Sequence, residues 1–185
     1  MMNRKEHLTI EGLRKIVAIR SSLNLGLSPE LKASFPDIVP IQRPLVQDQI
    51  ITDPDWLAGF TSGEGNFLIK ISDSKSHKLG KAIQLRFKLT QHSKDEQLMK
   101  SLIEYFGDGN VYISNKAVDF IIQRFEVLTD KVIPFFEKYP IVGIKALDFA
   151  DWCKVAKLMK NKDHLTTEGL NQICLIKSGM NKNRE

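Results

Sequence analysis

Glu64 stands between two glycines, Gly63 and Gly65, at the end of an apolar helical pattern that opens on Asp53-Pro54. An acid at the cap followed by proline starts a helix well, and Gly63-Glu64-Gly65 ends it. A carboxylate at a helix C-terminus meets the negative end of the macrodipole, at a cost of about 0.3–1 kcal/mol. A divalent cation held there would give the carboxylate a reason to be placed so. Mg2+ takes oxygen ligands and keeps several waters, so few protein groups are needed. A solvated helix-end acid is the plainer alternative. A second set of groups falls on alternating segments: Asn66, Lys70, Ser72, Gln84, Arg86, Lys88, Asn110, Tyr112, Ser114, Asp119 and Gln123. Bases, amides and hydroxyls of this kind hydrogen-bond base edges in a major groove, and Lys and Arg neutralise phosphates. An ordinary solvated sheet face has the same pattern.

These groups need elements to hold them. Phe67, Ile69 and Ile71 alternate with Asn66, Leu68, Lys70 and Ser72, which predicts a strand over 66–72. A polar turn leads to a second strand over 81–90. There Ile83, Leu85, Phe87 and Leu89 alternate with Ala82, Gln84, Arg86 and Lys88. Ser93-Lys94-Asp95-Glu96 is a capping-box sequence, and its helix runs to Phe106 with Gly107 as the stop. A hairpin over 110–115 and 119–126 follows, then helices over 130–138 and 145–160. The order α-β-β-α-β-β-α-α describes an α+β fold. Its four antiparallel strands carry helices on one face and leave the other free. On the first helix, Trp56, Leu57 and Phe60 supply apolar contacts, and Ala58 and Gly59 leave a small surface where another backbone can approach.

The chain also repeats itself. Residues 5–24 (KEHLTIEGLRKIVAIRSSLN) and 162–181 (KDHLTTEGLNQICLIKSGMN) align without a gap. Each has a Thr-x-Glu-Gly opening suited to a helix N-terminus, followed by Leu13, Ile16 and Val17 or by Leu170, Ile173 and Cys174 at helical spacing. The reading is therefore residues 1–25 as the terminal helix of an otherwise absent first repeat, 26–54 as a linker, and 55–185 as one complete repeat. The linker, with Pro29, Pro36, Pro40 and Pro44, is expected to be an extended connection. Net charge is +5, which suits a polyanionic partner without demanding one. Cys153 and Cys174 lie in apolar helical patterns and read as two buried thiols in a reducing compartment. No apolar run is long enough to span a membrane. Glu6 and Glu11 argue against a transit peptide at the basic N-terminus.

The stretch WLAGFTSGEGNF, Trp56 to Phe67, resembles the signature helix of the LAGLIDADG homing endonucleases. LTQHSKD (from Leu89), Val142-Gly143-Ile144-Lys145, DFADWCKVAKLM (from Asp148) and both HLTxEGL copies extend the resemblance to the single-chain, two-repeat members of fungal organellar introns. The resemblance implies an αββαββα repeat with a saddle-shaped sheet on double-stranded DNA. Two repeats pack through their signature helices, here with Trp56, Leu57, Ala58, Gly59 and Phe60 at the interface. It implies Glu64 and the Gly63 carbonyl as ligands of Mg2+, with Ca2+ or Mn2+ as substitutes. It implies Gln91 as the residue ordering active-site water, and Lys145 as the basic group near the scissile phosphate. A mere surface charge remains the alternative for Lys145. This chain has one signature helix where such proteins have two. The expectation is thus the C-terminal part of a site-specific endonuclease, completed by an N-terminal half carrying the other LAGLIDADG helix, in the mitochondrion. The rival readings are an RNA-binding intron maturase and a non-catalytic DNA-binding relic.

Overall fold

The computed structural model describes residues 3–23, 25–42 and 50–181. The chain divides into two compact units, 1–47 and 48–185. Asn24 of the repeat and Pro44 of the linker lie outside the described residues.

In the first unit a short 3-10 turn, Glu6–Leu8, leads into α1 (Ile10–Ser21), and α2 spans Pro29–Ser34. The extended connection expected across 26–54 is therefore interrupted by a helix. Ser28-Pro29-Glu30 is itself a start signal: the Ser28 hydroxyl accepts from the Leu31 N–H, Pro29 opens the helix and Glu30 sits in its first turn.

In the second unit α3 (Pro54–Glu64) runs directly into β1 (Gly65–Asp73), which pairs with β2 (Lys81–His92). Then come α4 (Glu96–Phe106), β3 (Asn110–Ile113) and β4 (Ala117–Ile122). A continuous helical run follows: α5 (Phe125–Val127), a π turn (Leu128–Val132) and α6 (Ile133–Lys138). It is succeeded by α7 (Lys145–Lys160) and α8 (Thr167–Ser178). The sheet is antiparallel throughout, in the order β1-β2-β4-β3. Its inner face presents Phe67 and Ile69, Leu85, Phe87 and Leu89, and Val118, Phe120 and Ile122, all buried. Met99, Leu102 and Phe106 cover it from α4, and Trp152, Val155 and Ala156 from α7. Phe67 lies at the centre, with ring centroids of Phe87, Phe136, Phe149 and Trp152 between 5.1 and 5.8 Å away.

Two expectations about local structure change. The strand expected over 119–126 stops at Ile122, because the next apolar residues keep helical spacing: Leu128, Val132 and Phe136 bury one face of the following run. Pro134 cannot donate its missing N–H into that run, and the helix widens to a π turn just before it. Only one of the two thiols is shielded. Burial pushes the Cys153 thiol up to about 12, whereas Cys174 is exposed. On α8 it is Gly169 and Ile173 that face inward, and the next residue is turned away by roughly 100°.

The internal repeat has the same local structure in both copies. Lys5 and Lys162 adopt left-handed conformations, with φ of 55° and 66°. A 3-10 turn follows each, and the Thr9 and Thr166 hydroxyls accept from the Gly12 and Gly169 N–H groups at 3.0 Å. A Cβ on Gly12 or Gly169 would lie 1.8 or 2.0 Å from the carbonyl oxygen of Glu6 or Asp163. That close approach explains why both copies carry glycine there.

Candidate functional site

The helix that delivers Glu64 is fixed at both ends. The Asp53 carboxylate accepts from the Asp55 and Trp56 N–H groups, at 2.9 and 3.4 Å. At the other end Gly65 leaves the helix and enters β1 with no intervening loop, its N–H bonded to the Thr61 carbonyl. A Cβ at Gly65 would meet the Thr61 carbonyl oxygen and methyl group at 2.5 Å. Glycine is thus required for the turn that leaves Glu64 exposed at the tip of α3.

Lys145, the first residue of α7, comes to the same place. Its ammonium donates to the Gly63 carbonyl at 2.7 Å. Two placements that look wrong along the chain are thereby explained together. A cation at a helix N-terminus and a carboxylate at a helix C-terminus each oppose their own dipole, but here the tip of α3 abuts the start of α7. Burial pushes the Lys145 ammonium below the usual lysine range, against the opposing pull of the Glu64 and Asp148 carboxylates. Asp148 is buried and accepts from the Asn181 N–H at 2.9 Å. Gln91 lies on β2 two residues beyond Leu89, the partner of Gly65, and pairs with Val118 of β4. Its side-chain oxygen accepts from the His92 N–H at 2.8 Å.

The donor set at this tip is one carboxylate and one backbone carbonyl, both hard oxygens, which suits Mg2+ or Ca2+ rather than a soft ion. Among the described residues no three His, Cys, Asp or Glu side chains cluster as a metal site. A divalent cation held by Glu64 and the Gly63 carbonyl would need further ligands, such as water or phosphate oxygens.

The predicted polar face is assembled by the sheet register. Asn66 pairs with Lys88 and Lys70 with Gln84. Asn110 lies opposite Ile121 and Tyr112 opposite Asp119, while Ser72 faces Ala82. Ser114 and Gln123 continue the face just past the ends of β3 and β4. Several of these side chains are already held. The Arg86 guanidinium donates twice to the Gln84 oxygen, at 2.9 and 2.8 Å, and Gln84 reaches Gln123 at 3.4 Å. Lys88 and Thr90 both donate to Asp119, at 2.7 Å. Thr90 and Ile121 belong to the same face, at Thr90↔Asp119 and Lys88↔Ile121. Carrying the alternation two residues past Lys88 finds Thr90; Ile121 gives no polar signal.

The five-residue interface expected on α3 needs correction. Leu57 and Ala58 are 0% and 4% exposed, and Leu57 belongs to the core of this unit. Five consecutive helical residues cannot share one side. The exposed stripe is Trp56, Gly59 and Gly63, with Phe60 half-buried and stacked on Trp56 at 5.1 Å. A Cβ on Gly59 or Gly63 would meet nothing within 4 Å.

A family model described as LAGLIDADG endonuclease matches residues 57–156. Probable intron-encoded endonuclease 3 of Neurospora crassa is 46% identical over 95% of this chain and 33% of its own length. Probable intron-encoded endonuclease 2 of the same fungus is 38% identical over 99% and 44%. The chain thus spans less than half the length of these curated relatives. Among solved structures, the homing endonuclease I-SmaMI bound to cleaved DNA superposes with a TM-score of 0.94 at 47% identity, over 100% of this chain and 62% of that one. I-SmaMI on uncleaved DNA with calcium ions superposes with a TM-score of 0.92 at 48% identity, over 98% and 62%.

Proposed function

We propose, on the premise that this chain belongs to the LAGLIDADG endonuclease family, that it supplies one catalytic centre and one half-site-reading sheet to a site-specific DNA endonuclease. The observation that carries this reading is the meeting of Glu64, the Gly63 carbonyl and Lys145 at one helix tip. The polar sheet face and the relatives solved on DNA add support.

Each part of the chain has work to do in that reaction. The sheet face seats the duplex: Lys70, Arg86 and Lys88 meet phosphates or guanines, while Gln84, Gln123 and Asp119 offer donors and acceptors to base edges. Glu64 and the Gly63 carbonyl would hold Mg2+, which would supply polarisation of the phosphoryl oxygen and stabilisation of the leaving oxygen. Gln91 orients water at the tip, and Lys145 stabilises charge that develops on the phosphate. Proximity to Gly63 lets Lys145 move between the carbonyl and a bound phosphate with little rearrangement.

A second LAGLIDADG repeat completes the enzyme in this proposal. The exposed Trp56, Gly59 and Gly63 stripe is shaped for close helix packing, and the single carboxylate leaves one strand to a second centre. In the same proposal, 1–25 is the closing helix of the first repeat, 26–54 the linker and 55–185 the second repeat. A mitochondrial setting agrees with the intron-encoded fungal relatives. The test is reconstitution with a second repeat on randomised target DNA. Double-strand cutting is expected only with both repeats and Mg2+; cutting by this chain alone, or in EDTA, would sink the reading.

Arg86 offers a check on specificity. Its guanidinium is oriented by Gln84 before any DNA arrives, which favours a defined contact. Arg86→Ala is expected to relax preference at one target position by about 1–3 kcal/mol, read from cleavage profiles of a target library. A uniform loss across all targets would assign Arg86 to a phosphate instead.

A further inference from the structure

Ser62 joins the two sides of the site. Its hydroxyl donates to the Ala58 carbonyl at 2.8 Å and accepts from the Val142 N–H at 3.1 Å. Three residues beyond Val142, Lys145 reaches back to the carbonyl of Gly63, the neighbour of Ser62. The two bonds close a ring between the last turn of α3 and the loop that starts α7.

Packing does little to hold that loop. Val142, Ile144 and Leu147 are 67%, 63% and 50% exposed, and Gly143 sits at a φ of +75° with open space around it. The buried anchors are Ile141 before the loop and Asp148 one turn into α7. Between them, the Ser62–Val142 bond is a fixed point, and Lys145 lies just beyond it.

We propose that Ser62 is a positioning residue, which sets the 142–144 loop so that the Lys145 ammonium stands at the carboxyl tip of α3. The inference rests on the functional reading above for its consequence, but its geometry stands on the isolated chain. Without the Ser62 hydroxyl the exposed Val142 N–H turns to water, so little stability is lost. Removing a serine back-bond to the fourth preceding carbonyl does not weaken α3 either, since such bonds slightly disfavour helices. What widens is the range of Lys145. A misplacement of about 1 Å costs up to about a hundredfold in rate.

In the assembled two-repeat enzyme, Ser62→Ala is expected to slow single-turnover cleavage of one strand by roughly tenfold to a hundredfold. Target affinity in Ca2+ and the urea midpoint should stay unchanged, and Ser62→Thr should restore most of the rate. In the full chain alone, Ser62→Ala should speed amide exchange at Val142 and shift the Lys145 side-chain NMR signal, while Ser62→Thr should do neither. A wild-type cleavage rate for Ser62→Ala, a loss that Ser62→Thr fails to restore, or unchanged Val142 exchange and Lys145 signal would each overturn the proposal. An assembly that cuts no DNA, together with a shifted Lys145 signal in Ser62→Ala, would sink the functional reading and leave the positioning role standing.

Discussion

Glu64→Gln is expected to lower the single-turnover cleavage rate of one DNA strand by about a thousandfold, on the scale of losing one group aimed at the reacting charge. The other strand would still be cut by the second repeat, so supercoiled plasmid should accumulate as nicked circles. The substitution keeps the size and hydrogen-bonding shape of the side chain and removes only its charge. Because Glu64 opposes the dipole of α3 at its tip, the variant should be as stable as the parent, or more stable by up to about 1 kcal/mol. A loss of cleavage with no loss of stability is therefore the expected signature. Linear product forming at the parent rate would remove Glu64 from the active site.

Trp152→Ala is expected to cost about 3–5 kcal/mol of unfolding free energy. Trp152 is fully buried, lies 5.4 Å from Phe67 between ring centroids, and donates its indole N–H to the Leu68 carbonyl at 3.2 Å. Alanine leaves a cavity behind β1 and an acceptor with no donor. It also frees α7 from the strand that begins beside Glu64, so the damage should reach Lys145. Urea denaturation should show a lower midpoint with an unchanged slope. Trp152→Phe separates the two effects, since it keeps a ring and loses only the N–H. An unchanged midpoint for Trp152→Ala would mean that α7 does not pack on β1 as described.

Much of the fold was legible along the chain, because alternation and helical spacing are local signals. Strands β1 and β2 lie where Phe67, Ile69, Leu85, Phe87 and Leu89 put them, and all of these are buried. The end of β4 was not legible. Phe125, Val127 and Leu128 suit a strand as well as a helix over so short a run, and their partners at 132 and 136 settle it. Capping differed in detail as well. Ser93 looked like the cap of α4, yet α4 follows Asp95, whose side chain makes no capping bond, and the His92 side chain caps a preceding 3-10 turn, Ser93–Asp95, by accepting from the Lys94 N–H at 3.1 Å.

The site divides the same way. Glu64 announced itself by chemistry that a local pattern exposes: a carboxylate at the wrong end of a helix, between two glycines. The polar face followed from a period of two, which assigns sides without any knowledge of partners. Both features can be read along the chain, since each depends on residues within one turn or one strand. Which groups meet depends on the folded chain. Lys145 lies 82 residues from Gly63 and Val142 lies 80 from Ser62, and no local period links positions so far apart. Which side of α3 is free was decided there too. Leu57 and Ala58 turn inward because the sheet covers that side, leaving Trp56, Gly59 and Gly63 exposed.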